Sequence, residues 1–207
     1  MQENETSPPN RPQLLADAAI RVIATSGLRA LTHRAVDREA SFPQGSTSYY
    51  ANTRLALLQI VADRLAERSL ADLNDYFAAL AAAEPADDAE GRIEQLAGLV
   101  EDFVSALVSR PDDMRARYAL VLDYLAADPL SGILSSESPL LAGAFAAAPD
   151  LLKRFGFLAT PQQGRDIMLL ADAMTFSRTV HAASPHLQLD VHAVVAAYLR
   201  ALPRVKS

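Results

Sequence analysis

Apolar residues recur every three or four positions along most of the chain, which is the spacing of an amphipathic α-helix. The pattern predicts a first helix over about 11–26 that ends at Gly27, and a long helix from Arg54 that ends within 81–88. Later helices are predicted over about 89–109, 111–128, 161–183 and 191–202. A loop is predicted at 130–138, followed by a helix that begins at 140 and is interrupted at Pro149. No stretch of convincing length alternates with the period of a strand, so the predicted fold class is all-α.

The stretch from Thr32 to Arg54 has a different pattern. Thr32 can cap a short helix, and Ser41-Phe42-Pro43 breaks that helix. A second short segment, Gln44–Tyr50, has poor intrinsic helix propensity because Ser, Thr and Gly favour turns and caps. Two helices on a tight turn form a helix-turn-helix. Hydroxyls, an amide and two phenols on its second helix suit contacts with phosphate oxygens and base edges.

These residues and their neighbours resemble the TetR/AcrR family of repressors. The match is carried by Arg11, Leu14, Leu15, Ala18, Ala19, Val22, Ile23, Gly27-Leu28, Leu31-Thr32-x-Arg34, Gly45-Ser46-x-Ser48-x-Tyr50, Thr53-Arg54 and Leu57-Leu58. Ser41, Pro43, Ser48 and Ala51 depart from the residues that are usual in the family, as in a subfamily variant.

The resemblance implies a two-domain regulator. Residues 1–10 are expected to form a disordered arm, 11–56 the helix-turn-helix DNA-binding domain, and 57–207 a helical effector-binding and dimerisation domain. The long helix from Arg54 is expected to belong to both halves. Because 50% of the 207 residues are hydrophobic, the chain can bury a substantial core.

Charge is divided between the two predicted domains. Residues 11–56 hold six basic and three acidic residues, a balance of +3, whereas residues 57–207 hold 13 basic and 20 acidic residues, a balance of −7. The cations therefore lie with the helix-turn-helix, where attraction to DNA phosphates requires them. The chain has no Cys, which excludes disulfides and thiolate metal sites, and no apolar run of membrane-spanning length, so a cytoplasmic location is expected.

Ten residues are the candidate DNA contacts. Arg34 and Arg54 each lie in the first turn of a predicted helix, where a cation opposes the helix dipole and a bound phosphate would remove the conflict. Gln44 can pair with adenine, and His33 is either a phosphate contact or plain surface. The full set is Thr32, His33, Arg34, Gln44, Gly45, Ser46, Ser48, Tyr49, Tyr50 and Arg54.

Two further sets concern the predicted second domain. Family members bind small effectors among the helices after the fourth, and the candidate cavity residues are Tyr76, Phe103, Met114, Arg117, Tyr118, Asp123, Tyr124 and Phe176; each could instead be ordinary core or surface.

The resemblance also implies a dimer built from the last two long helices. Its candidate residues are Ile167, Leu170, Ala171, Met174, Arg178, Val191, Val194, Val195 and Tyr198, unless both stripes face their own subunit's core.

Catalytic and metal sites have no residues to support them. His181, His186 and His192 do not share a helical face, so no metal site is predicted, and no phosphate loop, nucleophile elbow or paired-carboxylate pattern indicates an enzyme or a cofactor. The interpretation is a homodimeric, ligand-responsive regulator, a repressor that binds a palindromic DNA operator and responds to a small-molecule effector. One alternative is a helical ligand-binding or scaffolding protein with a degenerate DNA-binding head, and a weaker one is a helical enzyme. The division of charge argues against a degenerate head.

Overall fold

The computed structural model describes residues 10–124 and 139–204. Residues 1–9 of the expected arm and the expected loop at 130–138 lie outside these ranges. The described ranges contain nine α-helices and no β-strand, which confirms the all-α prediction. The helices are α1 (Arg11–Ser26), α2 (His33–Glu39), α3 (Ser46–Tyr50), α4 (Arg54–Ala82), α5 (Ala89–Val108), α6 (Pro111–Tyr124), α7 (Pro139–Arg154), α8 (Pro161–Val180) and α9 (Val191–Ala201).

The helix ends follow from local chemistry. Asn10, expected in the disordered arm, instead caps α1: its side chain accepts the Gln13 N–H at 3.1 Å, and the Gln13 side chain accepts the Asn10 N–H at 3.2 Å. This reciprocal pair satisfies two N–H groups that a helix start leaves without partners. Gly27 ends α1 at φ 80°, a conformation that glycine adopts without strain. Thr160 and Asp190 cap α8 and α9, which begin where the sequence predicted.

The described residues form two compact units. The first holds the residues up to Glu67 together with those from Arg115 to Tyr124, and the second holds Arg68–Met114 together with the residues from Pro139 onward. Helix α4 therefore contributes to both units, as predicted. From Arg115 onward α6 belongs to the first unit, where Ala116 and Leu120 are buried in its core.

The first unit is a small helical bundle around one apolar core. Its buried residues include Leu15 and Ile23 of α1, Val36 of α2, and Leu58 and Val61 of α4. The apolar faces of α1 and α2 are covered in this way, and α4 contributes further buried residues to the same core. The unit thus holds α2 and α3 in place with their remaining surfaces exposed.

The second unit has a separate apolar core formed by α5, α8 and α9 with the ends of α4 and α7. Pro149 lies inside α7 and does not interrupt it, contrary to the prediction. Pro149 is buried, and α8 approaches it closely: a Cβ added to Gly164 would lie 3.1 Å from Ala148 Cβ and 3.2 Å from Pro149 Cδ. Packing around the proline therefore offsets the backbone hydrogen bond that it cannot make. No helix in the described ranges is both long and apolar enough to cross a membrane.

Candidate nucleic-acid interface

The short helix α3 starts two residues later than predicted. Gln44 and Gly45 form a turn, and the helix covers Ser46–Tyr50. Gly45 precedes it at φ 96°, a left-handed conformation that explains the glycine. Ser41 also has a positive φ, 57°, at the position where the family usually has a turn glycine. A positive φ is uncommon for a residue other than glycine, so Ser41 makes this turn with a less favourable residue type.

The N-terminal end of α3 is held by a buried carboxylate from α2. Asp37 Oδ2 accepts the Gly45 N–H at 2.7 Å, and Asp37 Oδ1 accepts the Thr47 N–H at 2.7 Å and the Thr47 hydroxyl at 2.6 Å. Burial by itself would raise the pKa of Asp37, but the hydrogen bonds from Thr47 and Gly45 outweigh it and lower the pKa. In the sequence Asp37 is one of the three acidic residues of 11–56, and this role was not predicted.

The C-terminal end of α3 is held by the same face of α2. His33 lies one turn before Asp37, and its Nε2 is 2.6 Å from the carbonyl oxygen of Ala51, the residue that follows α3. A carbonyl only accepts, so His33 Nε2 carries the proton. One ring nitrogen of His33 is thus engaged within the chain, a role not predicted from sequence, and its contact with phosphate stays a prediction. Together with Asp37 it fixes both ends of a five-residue helix that has little helix propensity.

The outward side of α3 presents aromatic and polar groups. Tyr49 is 85% exposed, Tyr50 is 36% exposed, and the two rings make an edge-to-face contact with centroids 5.1 Å apart. Ser48 and the preceding Gln44 are also exposed. Thr47, the residue before Ser48 in the helix, is buried, as expected because adjacent helix positions point about 100° apart. The exposed groups match the residue types that contact DNA bases and phosphates.

The other predicted contacts on this side have local roles as well. Thr32 Oγ1 accepts the Ala35 N–H at 3.2 Å, which confirms it as the cap of α2. The Ser46 hydroxyl donates to the Pro43 carbonyl at 2.7 Å and closes the turn before α3. Thr32 remains exposed, and Ser46 is partly exposed. Hydrogen bonds within the chain therefore orient both side chains at the edge of the predicted interface.

The arginines of the first unit fall into two groups. Arg34 and Arg38 are exposed on α2, and their guanidinium groups have no hydrogen-bond or ion-pair partner among the described residues. Arg54, in contrast, donates to the Leu31 carbonyl at 2.6 Å and to the Leu28 carbonyl at 2.8 Å. Arg54 therefore ties the start of α4 to the turn between α1 and α2. The second N–H of each Nη atom and the Nε–H are not used in these bonds, so the phosphate contact expected for Arg54 from sequence stays a prediction.

A cavity of about 40 Å³ lies in the second unit, among α4, α5, α7, α8 and α9. Of the eight residues predicted to line a cavity, Tyr76 lines this one, and Phe103 contacts the Tyr76 ring at a centroid distance of 5.0 Å. The others lie elsewhere: Met114 is buried away from the lining, Phe176 and Asp123 are exposed, Arg117 and Tyr118 belong to the first unit, and the side chain of Tyr124 lies outside the described part. The lining is mainly aliphatic, which explains why a search for polar and aromatic residues missed most of it.

Most of the predicted dimer stripe lies inside its own subunit. Ile167, Ala171, Met174, Val191 and Val195 are buried in the second core, and Leu170, Val194 and Tyr198 pack partly against it. Tyr198 donates a hydrogen bond to Asp166 Oδ2 at 3.1 Å, and Arg178 forms an ion pair with Glu101 at 3.6 Å. The five buried residues cannot provide a surface for a second copy. The most apolar faces of α8 and α9 were chosen from the sequence, and those are the faces that fill the subunit's own core.

One histidine of the second unit, His192, is paired with a carboxylate. His192 Nε2 lies 2.6 Å from Glu94 Oε2, and this hydrogen bond, against a smaller opposing effect of burial, raises the pKa of His192. Within the described ranges, no group of three or more potential metal-ligating side chains lies close together.

Comparison with known proteins gives a structural likeness and no match at the level of sequence families. No family model and no curated protein matches the sequence. A solved TetR-family member from Streptomyces coelicolor A3 is 25% identical, with a TM-score of 0.64 over 94% of this chain and 99% of that one. The multidrug binding protein EbrR, solved with imidazole, is 23% identical with a TM-score of 0.60 over 97% of this chain and 99% of that one.

The fatty acid degradation regulator FadR from Bacillus halodurans is 15% identical, with a TM-score of 0.60 over 94% of this chain and 95% of that one. At these lower identities the likeness concerns the fold alone. The resemblance first found in residues 11–58 therefore extends over nearly the whole chain, which has the fold of the TetR family of transcriptional regulators.

Proposed function

We propose that the protein is a ligand-responsive transcriptional regulator that binds an operator in double-stranded DNA through α2 and α3. The observation that carries the proposal is the contrast within α3. Its inward residue Thr47 is buried and hydrogen-bonded to Asp37, whereas Tyr49, Tyr50 and Ser48 face outward. A short helix held at both ends with a polar and aromatic outer side is suited to entering a major groove.

Electrostatics support the same surface. Arg34 and Arg38 on α2 have no acidic partner among the described residues, although acidic residues outnumber basic ones in the whole chain. Unpaired arginines beside a helix-turn-helix are available to phosphate oxygens, which they bind through paired N–H donors. Gln44, at the turn before α3, supplies an amide that can read adenine.

Response to a ligand is proposed from the second unit. Its cavity is walled by α4, the helix that begins beside α3 in the chain and contributes to both units. The solved protein EbrR, which shares the fold, is described as binding multiple drugs. A ligand that prefers one of two arrangements of α4 must, by linkage, change the affinity for DNA. Repression, relieved by the ligand, is the proposed polarity.

Homodimerisation is proposed through the outer face of α8. Leu169, Phe176 and Val180 follow one another at intervals of seven and four residues and are 49%, 40% and 56% exposed. On α9, the small residues Ala193 and Ala197 are exposed one turn apart and would permit close approach of a helix. This face replaces the buried stripe selected from sequence. A two-fold axis between two subunits would match a palindromic operator.

The DNA-binding proposal is tested by comparing two exposed arginines in the full-length protein. Double-stranded oligonucleotides selected from a random library serve as the DNA, and affinity is measured by fluorescence anisotropy at several salt concentrations. Arg34→Ala is expected to weaken binding and to lower the slope of log affinity against log salt by about 0.9, the contribution of one phosphate contact. The matched control is Arg115→Ala on α6, which removes an exposed and unpartnered arginine outside the helix-turn-helix.

Equal effects of the two substitutions would contradict the proposed surface. They would indicate that DNA is attracted by overall charge instead of by α2 and α3. Failure of the wild type to enrich any sequence from the library would contradict the regulator proposal as a whole.

A further inference from the structure

The cavity of the second unit has an apolar wall. Aliphatic side chains from five helices form most of it, including Leu96, Val100 and Leu152, and no Asp, Glu, Lys, Arg or His contributes to the lining. A charged ligand would therefore lose its hydration without gaining a partner of opposite charge. Because burying an unpaired charge is very unfavourable, the wall selects against anions and cations.

One side chain in the lining carries a hydroxyl. Tyr76 is partly buried on α4, and its ring contacts Phe77 and Phe103 at centroid distances of 5.5 and 5.0 Å. Its hydroxyl has no hydrogen-bond partner among the described residues. Like any tyrosine, Tyr76 keeps its phenol proton at neutral pH and can donate as well as accept, and burial raises its pKa further, to about 12. A tyrosine placed in this way usually finds a hydrogen-bond partner.

We propose that the cavity binds an uncharged, mainly apolar small molecule with a single hydrogen-bonding group, and that the Tyr76 hydroxyl contacts that group. The inference rests on the proposed function, because it names the chemical class of the effector. The apolar wall supplies affinity, and Tyr76 determines which polar group is accepted and where it lies.

The size of the cavity adds a constraint. Its volume of about 40 Å³ exceeds the roughly 10–15 Å³ that one water needs. A ligand with one ring therefore needs some widening. Met168 lines the cavity and has three rotatable side-chain bonds, so it can change shape at low cost. Gly164 and Pro149 are already in close contact on the α7 side, so widening is expected to move side chains such as Met168 first.

The test uses three probes of similar shape: toluene, benzyl alcohol and benzoate. They share one ring and differ in having no polar group, one neutral hydroxyl, or a charge. Binding to the full-length protein is measured by titration calorimetry at neutral pH. Toluene and benzyl alcohol are expected to bind, and benzoate is expected to bind at least ten times more weakly than benzyl alcohol.

Tyr76→Phe isolates the hydroxyl without changing the ring. It is expected to weaken benzyl alcohol binding by about 3- to 10-fold, as for one neutral hydrogen bond, and to leave toluene binding unchanged. Val100→Phe, which fills the cavity from α5, is expected to abolish binding of both. Benzoate binding as tight as that of benzyl alcohol, no effect of Tyr76→Phe on benzyl alcohol, or no binding of either neutral probe would overturn the inference.

DNA affinity of the same ligand-free samples separates this inference from the proposed function. If the wild type binds selected DNA and ignores the neutral probes, the ligand class is wrong and the regulator proposal stands. If the neutral probes bind as expected and DNA does not, the cavity assignment holds and the regulator proposal fails.

Discussion

The buried carboxylate of Asp37 offers the sharpest test of how α3 is held. In Asp37→Ala, the Gly45 and Thr47 N–H groups and the Thr47 hydroxyl all lose their acceptor. A short helix such as α3 has few other acceptors for its first N–H groups, so the substitution leaves donors unsatisfied at a buried site.

The magnitude follows from the three hydrogen bonds. A hydrogen bond to a charged group contributes about 1.5–3 kcal/mol, and loss of a cap alone costs about 0.5–2 kcal/mol. The three bonds share one carboxylate, and removing it also removes the cost of burying its charge. We therefore expect Asp37→Ala to lower the free energy of unfolding of the first unit by about 2–4 kcal/mol. Asp37→Asn keeps one oxygen but places an amide opposite the Gly45 N–H. Its free energy of unfolding is therefore expected to lie between those of Asp37→Ala and wild type.

The assay combines urea unfolding, followed by circular dichroism, with amide hydrogen exchange of the segment 44–51. Exchange reports α3 directly and is expected to accelerate in both variants. Asp63→Asn is the matched control, because Asp63 is an exposed carboxylate on α4 whose one hydrogen bond within the described residues comes from Gln59 one turn away. Its stability is expected to stay within about 0.5 kcal/mol of wild type.

Acid provides an independent check. The pKa of Asp37 is lowered in the folded protein, so its contribution is fully present above the unfolded value, about 3.9, and is lost as the pH falls from there through the folded value. The difference in stability between wild type and Asp37→Asn should therefore shrink below about pH 4. Asp37→Ala with wild-type stability and unchanged exchange would refute the reasoning, and so would a difference that grows in acid.

Three other substitutions test separate parts of the account, and a fourth tests assembly. Gln44→Ala should cost about 1–3 kcal/mol of affinity for selected DNA and little for random DNA; equal losses would make Gln44 a backbone contact. Arg54→Ala should destabilise the first unit by about 1–3 kcal/mol in urea, because two carbonyls lose a charged donor; an unchanged midpoint would leave Arg54 with a phosphate role alone. Arg154→Ala should destabilise the second unit by a similar amount, since Arg154 donates to the Leu80, Ala81 and Ala83 carbonyls at the end of α4, whereas Lys153→Ala should not. Val180→Asp should yield a monomer by light scattering; a wild type that already sizes near 22.3 kDa would contradict the dimer.

Local signals in the sequence predicted the helices well. The bounds of α1 agree at both ends, because polar Asn10 and Gly27 flank a regular apolar period. The start of α2 at Thr32 and the start of α4 after Thr53 follow from side chains that cap the next turn. These features depend on residues close in the chain, which is why a single sequence contains them.

Contacts between distant elements were harder to predict. Asp37 looks like a surface acid on α2 until the turn at Gly45 brings α3 over it. His33 was interpreted as a phosphate contact or plain surface and Arg54 as a phosphate contact. In the structure His33 is hydrogen-bonded to a carbonyl 18 residues away, and Arg54 to carbonyls 23 and 26 residues away. The signal that was available was the pairing of His33 with Asp37 four residues later on one helical face.

Choosing which apolar face points inward was the remaining difficulty. On α8 both faces carry apolar residues: Met174 fills the subunit's core, and Val180 is exposed. Periodicity identifies a stripe but does not say whether the stripe meets its own subunit or a second copy. The cavity was misplaced for a related reason, because aliphatic lining residues look like ordinary core in a sequence.

The central claim is that the outward side of α3 recognises a DNA sequence. The most direct measurement is the affinity of the full-length protein for its selected operator and for a shuffled duplex of the same composition, at one fixed salt concentration near 0.15 M. The account predicts a preference of about 10³-fold or more for the operator, and a large loss of that preference in Tyr49→Ala with little change in binding to the shuffled duplex. Equal affinity of the wild type for both duplexes, or a preference that survives Tyr49→Ala and Gln44→Ala together, would contradict it.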